Sequence, residues 1–211
     1  TSHIVKEPLG NTLIVSPWNY PVQLLLNPLV GAISAGCTAI LKPSPYVPEV
    51  SLAVQEMIED AFDEKYIAVV QGNRDVNSYL FRQKFDIIFF TGSPALAKKV
   101  MVAAAENLVP LVLELGGKSP CIIAGNADVK LAAKRIAWGK TLNSGQTCIA
   151  PDYILIHESV KDQFVREFDK AIKELHGEDI REDKHYVRMV SDGAFKRVSG
   201  YLSDGKVLCG G

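Results

Sequence analysis

The 211-residue sequence has only four cysteines, and they are widely separated along the chain. No separation between them matches a CxxC motif, and the histidines do not complete a zinc pattern. This spacing predicts no metal site and indicates thiols that stay reduced, as in the cytoplasm. The four cysteines are Cys37, Cys121, Cys148 and Cys209.

An excess of either charge is also missing, because 23 Lys and Arg residues face 24 Asp and Glu residues, for a formal net charge of −1. Without a basic stripe, the sequence argues against binding to nucleic acid or to an anionic membrane surface. The longest apolar stretch, around residues 22–40, is interrupted by Asn27, Pro28 and several glycine and serine residues. No membrane-spanning helix is therefore evident in this segment.

The sequence does contain a regular alternation of short β-branched runs with helical patterns. Apolar strands that alternate with helices predict an α/β fold, with a doubly wound, Rossmann-like parallel sheet covered by helices on both faces. The predicted strands are residues 12–15, 38–42, 66–72, 86–93 (strand into turn) and 111–117, and the predicted helices are residues 22–36, 48–62, 76–83 and 94–108.

The pattern changes near Glu114, where we place the start of a second subdomain. Its predicted elements are strands at 119–125 and 153–157, a helix at 128–143 capped by Asp128, a helix at 159–175 capped by Ser159, and a polar surface loop at 176–195. The final residues, 206–211, are predicted to form a strand and a glycine turn. Because an apolar strand needs a neighbour, we expect the protein to continue beyond Gly211.

The stretch NSGQTCIAPDY, residues 143–153, places Cys148 among small and polar residues instead of in an apolar run. Backbone amides of neighbouring small residues can lower the pKa of a thiol and so favour the nucleophilic thiolate. The alternative is a half-buried structural thiol, which is the more common role of cysteine.

Two further polar residues follow predicted strands. Glu114 ends the strand in LELGGKSP, where a partly desolvated carboxylate can act as a general base. Asn19 lies in SPWNYP, where its amide can donate to a developing oxyanion. The alternatives are a solvated loop acid or helix-cap partner for Glu114, and for Asn19 a turn in which asparagine bonds its own backbone.

Two other strand ends are suited to a dinucleotide. Lys42 ends the strand in AILKPSP and can reach ribose hydroxyls or a phosphate, although a surface lysine is the alternative. Gly92 and Ser93 in FFTGS precede a helix whose free amides form an anion site. The second pattern has low specificity by itself.

The five motifs SPWNYP, LKPS, FFTGS, LELGGKSP and NSGQTCIAPDY occur together in an order and spacing similar to those of the aldehyde dehydrogenase superfamily. Asn19 precedes Cys148 by 129 residues and Glu114 precedes it by 34. The sequences ELGGKSPC, WGK and NSGQTCIAPDYIL resemble the class 3 branch of that superfamily. The resemblance runs through essentially the whole chain.

This resemblance implies NAD- or NADP-dependent oxidation of a small-molecule aldehyde to the acid. Cys148 would be the nucleophile, its backbone amide and Asn19 the oxyanion hole, and Glu114 the base that activates water. The resemblance also implies a dinucleotide-binding domain at 1–113, an incomplete catalytic domain at 114–211, and a homodimer of the full-length protein. The implied cofactor-binding residues are Lys42, Ser93, Gly92, Trp18, Leu115 and Gly116.

The chain departs from the family pattern in two respects. Pro45 stands where many relatives carry an acid that bonds the adenosine ribose, so we expect weaker NAD preference and better use of NADP. Family members are also about twice as long, so we expect little or no dehydrogenase activity from the 211 residues alone. Two other functions stay open: a thiol esterase or hydrolase, which would need a histidine base near Cys148, and a non-catalytic nucleotide-binding remnant.

Overall fold

The computed structural model describes residues 2–210. The chain divides into two compact units, Thr1–Leu115 and Gly116–Gly211. The assignment of separate binding and catalytic roles to residues 1–113 and 114–211 stays a prediction.

The first unit is built around a five-stranded sheet in which every neighbouring pair is parallel, with the order β3-β2-β1-β4-β5. The predicted doubly wound α/β fold is confirmed. The strands are β1 Asn11–Val15, β2 Thr38–Lys42, β3 Ile67–Val69, β4 Ile87–Thr91 and β5 Leu111–Glu114, and the helices are α1 Gln23–Ser34, α2 Pro48–Ala61, α3 Arg74–Leu80 and α4 Pro94–Ala105.

Successive apolar residues of β1 enter two different cores, because side chains alternate between the faces of a strand. Leu13 and Val15 pack in a cluster with residues of α3 and α4, such as Leu80 and Val100. Ile14 packs in a second cluster with residues of α1 and α2, such as Leu25. The sheet is therefore covered on both faces, which explains why its strands are continuously apolar.

As far as residue 210, the second unit contains a two-stranded parallel sheet and three α-helices. Its core consists of Ile123, Val129, Ala133, Val160 and Phe164. The strands are β6 Ser119–Ile123 and β7 Pro151–Ile156, the α-helices are α5 Val129–Thr141, α6 Lys161–His176 and α7 Asp192–Gly200, and the 3-10 turns are Leu142–Gly145, Glu158–Val160, Ile180–Glu182 and Tyr201–Ser203.

The caps of α5 and α6 show one correct and one wrong prediction. Asp128 caps α5 as predicted, since its side chain accepts a hydrogen bond from Leu131 N at 3.0 Å. Ser159 does not cap α6, because it lies inside a 3-10 turn whose own cap is His157. Helix α6 begins only at Lys161, without a side-chain cap.

The predicted surface loop at 176–195 and the predicted final strand also differ from the structure. Residues from Asp192 form α7, which Ser191 caps by accepting a hydrogen bond from Ala194 N. Residues 206–209 form no strand, because no other described segment pairs with them. Gly211, the last residue of that prediction, lies outside the described residues.

Across residues 2–210, none of the helices is both long and apolar enough to cross a membrane.

Candidate active site

The carboxyl ends of the strands in the first unit bring four of the sequence motifs to one edge of the sheet. In the parallel register, Val15 lies opposite both Lys42 and Phe90, and Thr91 lies opposite Glu114. The segments that follow these strands therefore leave the sheet on the same side. In open α/β sheets this edge is the usual place for ligands.

Lys42 is fully buried at this edge. Its Nζ donates a hydrogen bond to the carbonyl oxygen of Pro43 at 2.8 Å. Burial lowers the pKa of Lys42 to about 8, because desolvation disfavours the ammonium form. The alternative of a surface lysine is therefore wrong.

Two hydroxyl groups near the same strand ends lack a hydrogen-bond partner among the described residues. They are Ser16 Oγ, directly after β1, and Thr91 Oγ1, at the end of β4, and both atoms are buried. An unpaired buried hydroxyl costs about 1–3 kcal/mol, so these groups suit a polar ligand that pairs with them. Sequence reasoning did not single them out, although both lie within the motifs SPWNYP and FFTGS.

Gly92 and Ser93 have structural roles in the turn after β4. Gly92 N donates to the carbonyl oxygen of Glu114 at 3.0 Å, which extends the pairing of β4 and β5. A Cβ at Gly92 would lie 2.6 Å from the ring of Phe90, so a larger residue does not fit there. Ser93 caps α4, since its Oγ accepts a hydrogen bond from Leu96 N at 3.3 Å.

Cys148 lies in a tight turn of the second unit. Ala150 N donates to the carbonyl oxygen of Thr147 at 3.1 Å, so Cys148 and Ile149 occupy the two central positions of the turn. Both residues are exposed, and Ile149 is 79% exposed. Within residues 2–210, the thiol of Cys148 is therefore not half-buried, and its role as nucleophile stays a prediction.

The segment that leads to Cys148 has an unusual backbone. Three successive residues are left-handed, Asn143 at φ 50°, Ser144 at φ 55° and Gly145 at φ 72°. Asparagine and glycine adopt this region more readily than other residues, whereas serine has a cost there. The sequence NSG thus permits the sharp change of direction between α5 and the Cys148 turn.

Gly117 is in close contact with the backbone of Cys148. Because β6 and β7 are parallel, the residues before each strand lie at the same end of this small sheet. A Cβ at Gly117 would lie 2.5 Å from the carbonyl oxygen of Cys148. Glycine is therefore required for this approach of the two backbones.

The remaining candidate residues are divided between the two units. In the first unit, Trp18 and Asn19 lie in the bend after β1, and Glu114, with an exposed side chain, ends β5 just before Leu115. Gly116 begins the second unit, which also contains Cys148. The convergence of Cys148 with Glu114 and Asn19 stays a prediction.

Two histidines of the second unit are engaged in pairs of their own. His157 Nδ1 lies 2.8 Å from Ser159 Oγ, and His176 Nδ1 lies 2.7 Å from Asp183 Oδ2. Within residues 2–210, no hydrogen bond joins a histidine to Cys148.

Comparison with known proteins identifies a matching family. The model of the aldehyde dehydrogenase family matches residues 1–211. The chain is 46% identical over 206 residues to 4,4'-diaponeurosporen-aldehyde dehydrogenase of Staphylococcus aureus, covering 98% of this chain and 45% of that protein. It is 44% identical over 209 residues to the dimeric NADP-preferring aldehyde dehydrogenase of Rattus norvegicus, covering 99% and 46%.

Solved structures agree with this match. A substrate-bound structure of Staphylococcus aureus AldH superposes with a TM-score of 0.91 at 46% identity, over 94% of this chain and 43% of that one. A complex of Staphylococcus aureus betaine aldehyde dehydrogenase with NAD+ gives a TM-score of 0.85 at 31% identity, over 94% and 40%. The chain thus spans less than half the length of the relatives it matches.

Gly117→Ala tests the close approach of Gly117 to Cys148. The added methyl group meets a carbonyl oxygen, so we expect a loss of about 1–3 kcal/mol in the free energy of unfolding, together with a changed alkylation rate of Cys148. Denaturant unfolding and mass-spectrometric alkylation kinetics measure the two effects. Gly200→Ala is the control, since nothing lies within 4 Å of its Cβ position. Equal behaviour of the two variants would contradict the prediction.

Lys42→Met tests the burial of the Lys42 amine through the pH dependence of stability. Because the pKa of Lys42 falls from 10.5 to about 8 on folding, the unfolded chain binds more protons between these pH values. The stability of the wild type relative to Lys42→Met therefore rises across this range.

We expect the advantage of Lys42→Met to be larger at pH 7 than above pH 10.5, by about 3 kcal/mol, since the charged amine is penalised only at the lower pH. Denaturant unfolding at several pH values measures the difference. Lys65→Met, which removes an exposed lysine, is the control. The same pH dependence in both variants would rule out the burial effect.

Proposed function

The chain belongs to the aldehyde dehydrogenase family, and we propose that the full-length protein oxidises aldehydes to carboxylic acids with NAD or NADP, using Cys148 as the nucleophile. The observation that carries this proposal is the contact of Gly117 with the backbone of Cys148. Glu114 lies three residues before Gly117, a stretch that spans at most about 11 Å when extended. This short covalent connection supports the proposal that Glu114 acts as the base for Cys148.

The exposure of Cys148 at the centre of a turn supports its role as nucleophile. Its thiolate attacks the carbonyl carbon of the aldehyde, a C–S bond forms, and the carbonyl oxygen becomes an oxyanion. The side-chain amide of Asn19 and the backbone N–H of Cys148 donate hydrogen bonds to that oxygen. Such donors stabilise charge that develops in the transition state.

A bound dinucleotide would supply the acceptor for the hydride that leaves the tetrahedral carbon. The acyl group then remains on Cys148 as a thioester. Glu114 takes a proton from water, the resulting hydroxide attacks the thioester, and the C–S bond breaks to release the acid and the Cys148 thiolate. General-base assistance of this kind contributes about 10²- to 10⁴-fold.

The edge of the five-stranded sheet supports dinucleotide binding. Lys42 supplies a buried amine, while Ser16 and Thr91 supply buried hydroxyls that have no hydrogen-bond partner among the described residues. These groups fit the ribose hydroxyls and phosphates of a dinucleotide. Trp18, Leu115 and Gly116, together with Gly92 and Ser93, are the other residues that we propose to contact it.

Assembly and location are also proposals for the full-length protein. A homodimer is supported by the similarity to a rat enzyme that is itself described as dimeric. A cytoplasmic location is supported by the four cysteines, all of which are free.

Cys148→Ser and Glu114→Gln test the proposed roles in the full-length protein. We expect Cys148→Ser to lose at least about 10³-fold in kcat, because it removes the nucleophile. Glu114→Gln should lose about 10²- to 10⁴-fold in steady-state kcat yet keep a burst of one reduced dinucleotide per active site, since hydride transfer precedes hydrolysis. Rapid-mixing absorbance measurements follow both.

Glu106→Gln, which changes an exposed acid after α4, is the control and should retain activity. Full aldehyde oxidation by Cys148→Ser would exclude the proposal. Ester cleavage by the wild type without hydride transfer to dinucleotide would favour the thiol hydrolase instead.

Pro45→Glu tests the cofactor preference. Pro45 is exposed in the turn after β2, where a glutamate would place a carboxylate beside the proposed ribose site. A carboxylate repels the 2′-phosphate of NADP, so we expect the ratio of kcat/KM for NADP to that for NAD to fall about tenfold. Pro110→Glu is the control for added charge, because Pro110 is exposed and lies at the amino end of β5, away from the carboxyl ends of the strands. A strong NAD preference of the wild type would contradict this explanation.

A further inference from the structure

The side-chain amide of Gln146 joins the segment before Cys148 to a distant part of the second unit. Gln146 Nε2 donates to the carbonyl oxygen of Arg188 at 3.2 Å. Its Oε1 accepts from Val190 N at 3.0 Å, across 44 residues of sequence. The same Nε2 also donates to the carbonyl oxygen of Asn143 at 3.1 Å, at the start of the left-handed segment.

A second contact joins the same two segments. Ser144 Oγ donates to the carbonyl oxygen of Val187, one residue before Arg188. The side chains of Ser144 and Gln146 thus link residues 143–146 to residues 187–190. We call residues 187–190 the brace segment.

The brace segment is itself fixed within the second unit. Arg188 Nη2 donates to the carbonyl oxygen of Arg181 at 2.8 Å. Just before the brace segment, Asp183 accepts from His185 N at 2.8 Å and from His176 Nδ1 at 2.7 Å. These bonds lower the pKa of Asp183, with the bond from His176 contributing most, so the carboxylate stays charged at neutral pH. The chain from α6 to the brace segment is therefore held by charged and backbone partners.

Only a primary amide satisfies the contacts of Gln146. The carbonyl oxygens of Asn143 and Arg188 need a donor, whereas the N–H of Val190 needs an acceptor. A glutamate of the same shape keeps the acceptor but loses both donors, and a methionine loses all three bonds. The side chain is therefore matched to its partners by chemistry as well as by length.

The left-handed segment needs such support. Three successive left-handed residues, two of them not glycine, persist only where the surroundings determine their conformation. Cys148 lies two residues beyond Gln146, so a shift of this segment moves the sulfur with it. A misplacement of about 1 Å between reacting atoms can reduce a rate about 10²-fold.

We propose that Gln146 is a positioning residue, which fixes the turn that carries Cys148 by bonding it to the backbone of Arg188 and Val190. This proposal rests on the proposed function only in taking Cys148 as the nucleophile. Gln146 touches neither substrate nor cofactor in this role. It acts through the backbone of the turn.

Gln146→Met and Gln146→Glu in the full-length protein test the proposal. We expect kcat for aldehyde oxidation to fall about 10- to 100-fold in Gln146→Met, while KM for the dinucleotide changes less than about threefold. Hydrogen–deuterium exchange of residues 143–150 should accelerate on the order of tenfold, because the turn opens more readily. The alkylation rate of Cys148, followed by mass spectrometry, should change as well.

Gln146→Glu adds a pH profile that a general loss of stability would not produce. Its carboxyl group, when protonated, regains one donor while it keeps an acceptor. The ratio of its kcat to that of the wild type should therefore rise as the pH falls from 8 towards 5.5. Gln83→Glu is the matched control, since Gln83 donates a comparable bond to Tyr79 on the surface of the first unit.

Two outcomes would overturn the positioning role: unchanged exchange and alkylation in Gln146→Met, or faster exchange with unchanged kcat. If Gln146→Met does not fold, Gln146→Glu decides the question, because it keeps the bond from Val190 and has its own pH signature. Activity in Cys148→Ser would instead refute the proposed function. Exchange and alkylation do not depend on aldehyde chemistry, so the two failures are distinguishable.

Discussion

Parallel strand pairing is the constraint on which the candidate site depends. In a parallel sheet every strand ends at the same edge, so residues that follow different strands become neighbours regardless of their separation in sequence. This rule brings together the motifs after β1, β2, β4 and β5. It also acts in the second unit, where the parallel pair β6 and β7 places Gly117 beside the backbone of Cys148. Neither proximity depends on a direct bond between functional side chains.

The polar groups at the edge of the first sheet are not arranged for maximal stability. A fully buried lysine that donates to the adjacent backbone carbonyl has an energetic cost, as do two buried hydroxyls that have no hydrogen-bond partner in the part of the chain that the structure describes. An apolar residue at position 42 would avoid the cost of desolvating an amine, the same desolvation that lowers the pKa of Lys42. Conflicts between local stability and residue choice are expected where a ligand supplies the missing interactions.

The sequence predicted those features of the fold that depend on local patterns. Hydrophobic periodicity predicted the five parallel strands, and Asp128 was recognised as a helix cap because its hydrogen bond spans only three residues. Ser159 fits the same local rule, yet it lies within a 3-10 turn whose last residue, Val160, packs in the core. The strand and turn predicted at 206–211 are not confirmed, since residues 206–209 form no strand. A strand requires a partner, which no local pattern can supply.

The candidate site shows the same division. Cys148 is exposed, in agreement with the small and polar residues around it in sequence. Position 117 requires glycine, in agreement with its place in the glycine-containing motif LELGGKSP. The sequence left open whether Lys42 is buried, because a lysine at the end of an apolar strand can also lie on the surface. Its burial results from tertiary packing, which the local sequence does not show. The hydrogen bonds of Gln146 to Arg188 and Val190 span more than forty residues and involve their backbone atoms, so the identities of these two residues give no signal of the contacts.

The parallel strand register and the side-chain contacts of Gln146 position different parts of the candidate site. The motifs of the first unit need only the correct strand ends, since parallel register brings them together. The Cys148 turn has no such framework before it, because the chain leaves α5 through three left-handed residues. Local sequence makes that conformation accessible through Asn143 and Gly145, but accessibility does not select it over the alternatives of an exposed loop. Contacts from outside the loop are needed to stabilise this conformation over the others. The amide of Gln146 provides them, because it donates to the carbonyl oxygen of Arg188 and accepts from the N–H of Val190.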